Sequence, residues 1–167
     1  GQCVSASLLE SQIAMLDFQA SRFLVSNENP GQTGNDHPTM SPMGTYKTSN
    51  GYINIASTGE AMWRRLCKTL NITDALDGKD FEDDYARTKN RAKLNVIINK
   101  VLSKKTKEIW IKKLNEASIP CGPINNIKEV FNDPQVIHSK IAETVDHPKL
   151  GKIKLVGQAM KLSRTPS

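Results

Sequence analysis

The chain has 167 residues, with 23 Lys and Arg against 17 Asp and Glu, three Cys and 38% apolar residues. That length suits one domain of ordinary size, and the apolar content lies above the disordered range. No apolar run reaches the roughly 18 residues of a membrane span, and Gly1-Gln-Cys-Val4 puts no basic region before an apolar core, so neither a membrane helix nor a secretory leader is expected.

From the start, Val4, Ala6 and Leu8 alternate, which predicts a short strand. Leu9, Ile13, Leu16, Ala20, Phe23 and Leu24 then recur at helical spacing and predict one helix. Residues 26–44 hold three Pro, three Gly and three Asn. Such a stretch makes no regular element and reads as a linker and a functional loop together.

A hairpin is expected next, over Gly44 to Ala56, with Asn50-Gly51 as its primed turn. Ser57-Thr-Gly-Glu60 has the form of a capping box opening a helix, with Trp63, Leu66, Cys67 and Leu70 on one stripe. The acidic stretch Asp74 to Asp84 reads as a loop with short helical turns. Arg87 to Ser103 is helical, with Leu94, Ile97, Ile98, Val101 and Leu102 on its apolar face. Thr106 caps the next helix, which carries Trp110, Leu114 and Ala117 inward.

Ile119-Pro-Cys-Gly-Pro-Ile124 reads as a tight turn. Two Pro fix φ, Gly122 supplies angles closed to other residues, and Cys121 becomes a buried, inert thiol. Asn126-x-x-Glu129 is a second capping box, and Asp133-Pro134 is an N-cap followed by Pro at the first helical position. The end is β-like: Ile141 to Val145, a turn over His147 to Gly151, then Ile153 to Val156. The sum is α+β, with helices between a leading hairpin and trailing strands.

Charge divides the chain. Residues 1–84 carry 6 basic and 11 acidic side chains, and residues 85–167 carry 17 and 6. The cluster Lys100, Lys104, Lys105, Lys107, Lys112 and Lys113 is interleaved with aliphatics and has no aromatic platform or groove-reading motif, so it reads as a solvated face rather than a nucleic-acid site. It retains a weaker use in attracting a phosphorylated carrier. Cys3, Cys67 and Cys121 stand far apart and read as reduced thiols.

A visible catalytic set is lacking. His37, His138 and His147 have no ligands at metal-binding spacing. Gly31-x-x-Gly34 lacks the Lys and strand-to-helix setting of a phosphate loop. Glu60 reads as a cap partner before a general base, and Cys121 as a packed thiol before a nucleophile.

Longer strings carry a family resemblance. Gly1-Gln-x-Val-x-x-Ser-Leu-Leu-Glu10, then Gly34-x-x-His37-Pro-x-x-Ser-Pro42 with Tyr46-x-Thr48-x-x-Gly51-Tyr-Ile, resemble class III CoA-transferases, the CaiB/BaiF family. Ile119-Pro-Cys-Gly-Pro-Ile-Asn125, followed by Glu129-Val-Phe and Asp133-Pro-Gln-Val136, is the most specific match. His147-Pro-x-x-Gly151 and Gly157 also fit. The family includes formyl-CoA transferases, succinyl-CoA:dicarboxylate CoA-transferases and 2-methylacyl-CoA racemases.

The resemblance implies a small α+β domain with a linker and a segment of a large Rossmann-like domain. The expected divisions are 1–25 as a strand–helix segment of the large domain, 26–44 as linker, 45–146 as small domain and 147–167 as a return segment. It also implies an interlocked homodimer in the complete protein, with acyl-CoA and a carboxylic acid as partners and neither nucleic acid nor membrane. Coenzyme A enters as a thioester substrate, with no cofactor bound covalently. The expected compartment is cytoplasmic, or the mitochondrial matrix in a eukaryote.

The sequence does not begin with Met, so a missing N-terminal part is expected, and by the resemblance a fragment lacking the nucleophilic Asp is expected to be inactive alone. In the transferases an Asp attacks the acyl-CoA carbonyl, giving an anhydride and then an aspartyl-CoA thioester. The resemblance places that Asp upstream of Gly1, so no catalytic or metal residue is assigned within the chain. Gly31 and Gly34 are assigned to the loop that closes over substrate. The racemases carry a Glu where Gly59 stands, which favours a transferase over a racemase. A noncatalytic binding module is the third reading.

Overall fold

The structure is a computed structural model that describes residues 1–76, 78–160 and 163–164. Asp77 in the acidic loop, and residues 161–162 and 165–167 of the expected return segment, lie outside the described residues.

The first seven residues form no strand, so the alternation there does not translate into pairing. The predicted single helix is two, α1 (Leu8–Ala14) and α2 (Phe18–Ser26). Asp17 between them has φ 47°, which stops one helix and starts the next. Ser7 caps α1 through the Glu10 N–H at 3.4 Å. Neither helix has a buried residue, and Leu8, Leu9, Ile13, Leu16 and Leu24 stand exposed.

The hairpin forms from β1 (Met43–Thr48) and β2 (Gly51–Ala56). Its register pairs Tyr46 with Ile53 and Thr48 with Gly51, leaving Ser49 and Asn50 as the connection. The turn is thus one residue earlier than Asn50-Gly51. Alternation puts Gly44, Tyr46, Thr48, Ile53 and Ile55 on the buried face.

α3 (Glu60–Leu70) buries Trp63, Leu66, Cys67 and Leu70, as its stripe predicts. The Ser57 capping box does not form. Gly59 is the N-cap, the buried Ser57 hydroxyl has no partner, and the Glu60 carboxylate turns to Arg87. The acidic stretch holds short 3₁₀ turns at Thr73–Leu76 and Lys79–Phe81.

α4 (Asp84–Lys89) and α5 (Arg91–Leu102) replace the single predicted helix, with Asn90 between them. Leu94, Ile98 and Leu102 of α5 are buried. α6 (Lys107–Glu116) contributes Trp110 and Leu114, and the Trp110 indole N–H donates to the Leu102 carbonyl at 2.8 Å. These side chains close on Tyr46, Ile53, Ile55 and Ile119 to form one core. Trimming one such Leu to Ala costs about 2–5 kcal/mol.

The segment read as a Pro-Gly turn contains a strand, β3 (Cys121–Pro123), antiparallel to β2. The sheet order is β1-β2-β3, so β3 is an edge, where Pro is tolerated. Gly122 has no positive φ and open space around its Cα, so the special backbone angle expected there is absent. Cys121 is half-buried rather than sealed; its thiol lies 3.7 Å from the Ile111 carbonyl and 3.4 Å from Asn115 Oδ1.

α7 (Ile127–Asn132) opens with the complete Asn126–Glu129 capping box. In α8 (Pro134–Ser139) the Asp133 carboxylate accepts the N–H groups of Gln135 and Val136. β4 (Ala142–His147) and β5 (Gly151–Val156) form a separate antiparallel pair, joining residues on both sides of the expected division at 146. Among the described residues no helix is long and apolar enough to cross a membrane.

Candidate functional site

The irregular segment between α2 and β1 is the loop on which Gly31 and Gly34 were expected to act. Gly34 has φ +61° and opens a turn through Asp36. That left-handed angle favours glycine, and nothing lies near a Cβ built there. Gly31 sits apart from this turn. It lines an open apolar groove of about 540 Å³ with Ile13, Leu16, Ala20, Phe23 and Leu24.

The loop stands on a polar ladder along α5. Arg91 Nη2 donates to the carbonyls of His37 at 2.5 Å and Met40 at 3.3 Å. One turn on, Asn95 Nδ2 reaches both Asp36 oxygens at 3.4 and 3.3 Å. One turn further, Asn99 Oδ1 accepts the Lys47 N–H at 2.7 Å. Thr88 adds a bond to the Thr39 carbonyl at 3.3 Å. Residues four apart share a helix face, so one side of α5 holds the loop's backbone through Arg91, its Asp36 side chain through Asn95 and β1 through Asn99, while Leu94, Ile98 and Leu102 face the core.

Two further contacts fix the loop. The His37 ring stacks on Phe18 of α2, with centroids 5.3 Å apart and planes 14° from parallel. The His37 N–H donates to the Met43 carbonyl at 2.8 Å. At the base, a Cβ on Gly44 would meet Asp36 Oδ1 at 2.5 Å and the Asn35 carbonyl at 3.0 Å. The chain comes that close only because Gly44 has no side chain.

This footing is electrostatically tense. The Tyr46 hydroxyl, Arg91 Nε and Asn95 Oδ1 are buried with no hydrogen-bond partner. Burial, and then the Asp36 charge, push the Tyr46 phenol far above its usual range, so it stays protonated.

The other carboxylate singled out from the sequence, Glu60, belongs to a different cluster. Its Oε1 accepts from Arg87 Nη2 at 2.7 Å, and Asp84 Oδ1 accepts from the same nitrogen at 2.6 Å. Arg87 is fully buried, donates to the Phe81 carbonyl and lies 5.2 Å from the Trp63 ring centroid. A buried cation kept by two carboxylates, a carbonyl and a ring is an architectural group. Burial pushes the Cys67 thiol of α3 up to about 12, against the opposing pull of the Arg87 charge. Burial also raises Cys121.

His138 lies in the last turn of α8. His147 ends β4, and its Nδ1 accepts the N–H groups of Lys149 and Leu150 at 3.2 Å each. Among the described residues no group of three or more His, Cys, Asp or Glu could hold a metal ion.

Gly34, but not Gly31, sits in the turn, and the loop is held through residues the sequence reading missed: Asp36 and Gly44 within it and Arg91 and Asn95 on α5. The spacing of Arg91, Asn95 and Asn99 was the available signal. The arrangement can hold a glycine-bearing loop in a fixed backbone conformation beside an apolar groove.

Known proteins are similar to this chain in sequence and in fold. Residues 1–167 match CoA-transferase family III. Human succinyl-CoA:glutarate CoA-transferase is 29% identical over 164 residues, covering 98% of this chain and 37% of that protein. Succinate–glutarate CoA-transferase of Agrobacterium fabrum is 33% identical over 136 residues, covering 81% of this chain and 34% of that protein. A CaiB/BaiF family protein from Brucella suis superposes with a TM-score of 0.79 at 26% identity, covering 99% of this chain and 43% of that one. The chain thus spans well under half the length of the curated relatives it matches.

Proposed function

Because the chain belongs to CoA-transferase family III, we propose that it is part of an enzyme moving CoA from succinyl-CoA to a second dicarboxylic acid. The observation that carries this is the match along the whole chain, joined to the names of its relatives. Those names include succinyl-CoA:glutarate, succinyl-CoA:mesaconate and succinyl-CoA–D-citramalate CoA-transferases. These three share succinyl-CoA as donor, a further relative is named acetyl-CoA:oxalate CoA-transferase, and each acceptor is a dicarboxylic acid.

On this reading the covalent step belongs to an Asp of the longer protein, upstream of Gly1. Its carboxylate oxygen attacks the thioester carbonyl, the C–S bond breaks, and CoA leaves as thiolate from a mixed anhydride. The thiolate then attacks the aspartyl carbonyl and releases the first acid, leaving an aspartyl-CoA thioester. The incoming acid reverses these steps. Splitting one exchange into acyl transfers of this kind lowers each barrier.

This chain's share is positional. Residues 26–44 act as the linker and lid, with Gly34 giving the loop its bend and Arg91 and Asn95 holding its footing. A lid held in one conformation excludes water from hydrolysable intermediates. Residues 45–146 supply the small domain, 147–167 return toward the large one, and two complete subunits interlock. The segment alone is inactive on this account.

The test is to express the complete reading frame and supply succinyl-CoA with glutarate, mesaconate or citramalate. Appearance of the second acyl-CoA with release of succinate is expected. Failure to exchange CoA with any dicarboxylic acid, while the protein remains folded, would overturn the proposal. So would turnover by the 167-residue chain alone, for the assignment of its inactivity.

A further inference from the structure

One asparagine of the chain, Asn50, is followed by glycine. It lies beside Ser49 in the hairpin connection, exposed to solvent. Gly51 has no Cβ to shield its backbone nitrogen, and beyond its chain neighbours a Cβ built there would meet nothing nearer than Lys107 Cδ at 3.7 Å. The Asn50 amide carbon and that nitrogen are adjacent in the chain, so their reaction is intramolecular and gains the rate that proximity gives. The side chain is nevertheless tied elsewhere. Its Oδ1 accepts the Lys107 N–H at 2.8 Å and the Thr48 hydroxyl at 3.3 Å, and its Nδ2 donates to Glu108 Oε2 at 3.0 Å.

We propose that Asn50 is a self-modification site, which deamidates through the Gly51 backbone nitrogen when its hold on α6 is released. The Gly51 nitrogen gives its proton to water or hydroxide and attacks Asn50 Cγ, forming a C–N bond. The Cγ–Nδ2 bond breaks and ammonia leaves with a proton from water, closing a succinimide ring. Water then adds to either ring carbonyl and the ring opens, giving an aspartate or an isoaspartate at position 50. No electron is gained or lost overall, and water is the co-reactant.

The cap sets the rate. Ring closure turns Cγ onto the Gly51 nitrogen, and that rotation first has to break the bonds to Lys107 and Glu108. Either product then keeps the cap from re-forming as it was. An aspartate presents a carboxylate to Glu108 Oε2 where an N–H stood, and the like charges repel. An isoaspartate also adds a methylene to the main chain between Thr48 and Gly51, which pair across the turn. Deamidation therefore unties the hairpin from α6 in one irreversible step. Nothing in this chemistry draws on CoA transfer, so it stands or falls apart from the enzymatic reading.

The test incubates the 167-residue chain at mildly alkaline pH, in buffer and in urea, and maps peptides for the mass gain of amide to acid and for isoaspartate. Conversion at residue 50 should run several-fold slower in buffer than in urea. Glu108→Ala removes the Nδ2 acceptor. Lys107→Pro removes the capped N–H at the first helical position, where proline is tolerated, and Lys107→Met keeps that N–H while losing the charge. Glu108→Ala and Lys107→Pro should each speed conversion in buffer several-fold, and Lys107→Met should match the parent. Equal rates in buffer and urea overturn the proposal, as do parent rates in both Glu108→Ala and Lys107→Pro. Ile98→Val trims the buried core and leaves the cap intact. If it speeds conversion as much as Glu108→Ala does, global unfolding is the route and control by the cap is overturned.

Discussion

Asn50 caps a helix that starts 57 residues away: its Oδ1 accepts the Lys107 N–H at 2.8 Å, while its Nδ2 donates to Glu108 Oε2 at 3.0 Å. Thr106 stands at the N-cap position of α6 but makes no side-chain cap bond to the backbone. The hairpin connection therefore supplies what the local sequence withholds, and β1–β2 and α6 are tied at one residue.

Asn50→Ala should lower unfolding free energy by about 1–2 kcal/mol, the range for a lost N-cap. Urea denaturation followed by circular dichroism measures it. Asn50→Asp keeps the acceptor but faces Glu108 with a like charge, so it should recover only part of the loss. Equal stability of Asn50→Ala and the parent would show that water replaces the cap.

Acid should weaken the same region. Bonds to its own backbone N–H, Thr106 and Asn50 hold Glu108 below the usual glutamate range. Lys107 first, and then the Asn126 N–H, do the same for Glu129. A carboxyl depressed in the folded state stabilises above its unfolded value, about 4.3, and that contribution is lost as pH falls through the folded value. Urea midpoints should thus fall from about pH 5 downward. Glu129→Gln, which keeps an acceptor for Asn126 but has no charge to lose, should flatten the decline.

Gly44→Ala should destabilise by about 1–3 kcal/mol, because the new methyl meets Asp36 Oδ1 and the Asn35 carbonyl. Asp36→Ala in the same chain should recover part of that loss, since it removes the nearer obstacle. Thermal melts of the two single variants and the double variant measure the coupling. Strict additivity would place the strain elsewhere.

Arg91→Met should free the loop without melting the core. Hydrogen exchange over residues 36–43 should quicken, while amides of β2 and α5 stay protected. Leu94→Ala is the contrast: at zero exposure it should cost about 2–5 kcal/mol and speed exchange throughout.

Gly34→Val forces a branched residue to φ +61°, a cost of about 1–2 kcal/mol locally. In the complete enzyme it should lower turnover per folded molecule more than stability. Gly31→Ala, in open space and without positive φ, should be near neutral in melting. Normal turnover per folded molecule in Gly34→Val would reduce the loop to a solvated linker.

Short-range chemistry was the legible part of the fold. Asn126–Glu129 and Asp133-Pro134 formed as written because every partner lies within three residues. The stripes of α3 and α5 likewise predicted their buried faces. Ser57–Glu60 had the same spelling and failed, because a buried guanidinium 27 residues on offers Glu60 a stronger partner. Ile119 to Ile124 looked like a turn because Pro and Gly punctuate it, yet pairing with β2 makes its centre a strand edge. The loop's footing stayed hidden for the same reason: Arg91, Asn95 and Asn99 have meaning only once β1 and the loop lie alongside α5.

That footing ties the placement of the loop to the packing of the core. Leu94 and Ile98 point into the core from the helix whose next faces carry Arg91, Asn95 and Asn99. A substitution that makes α5 roll to refill a void swings all three polar groups together, because they share one rigid axis. Loop placement is therefore inherited from core volume. Buried aliphatic substitutions in α5 should quicken hydrogen exchange over residues 36–43 along with the core.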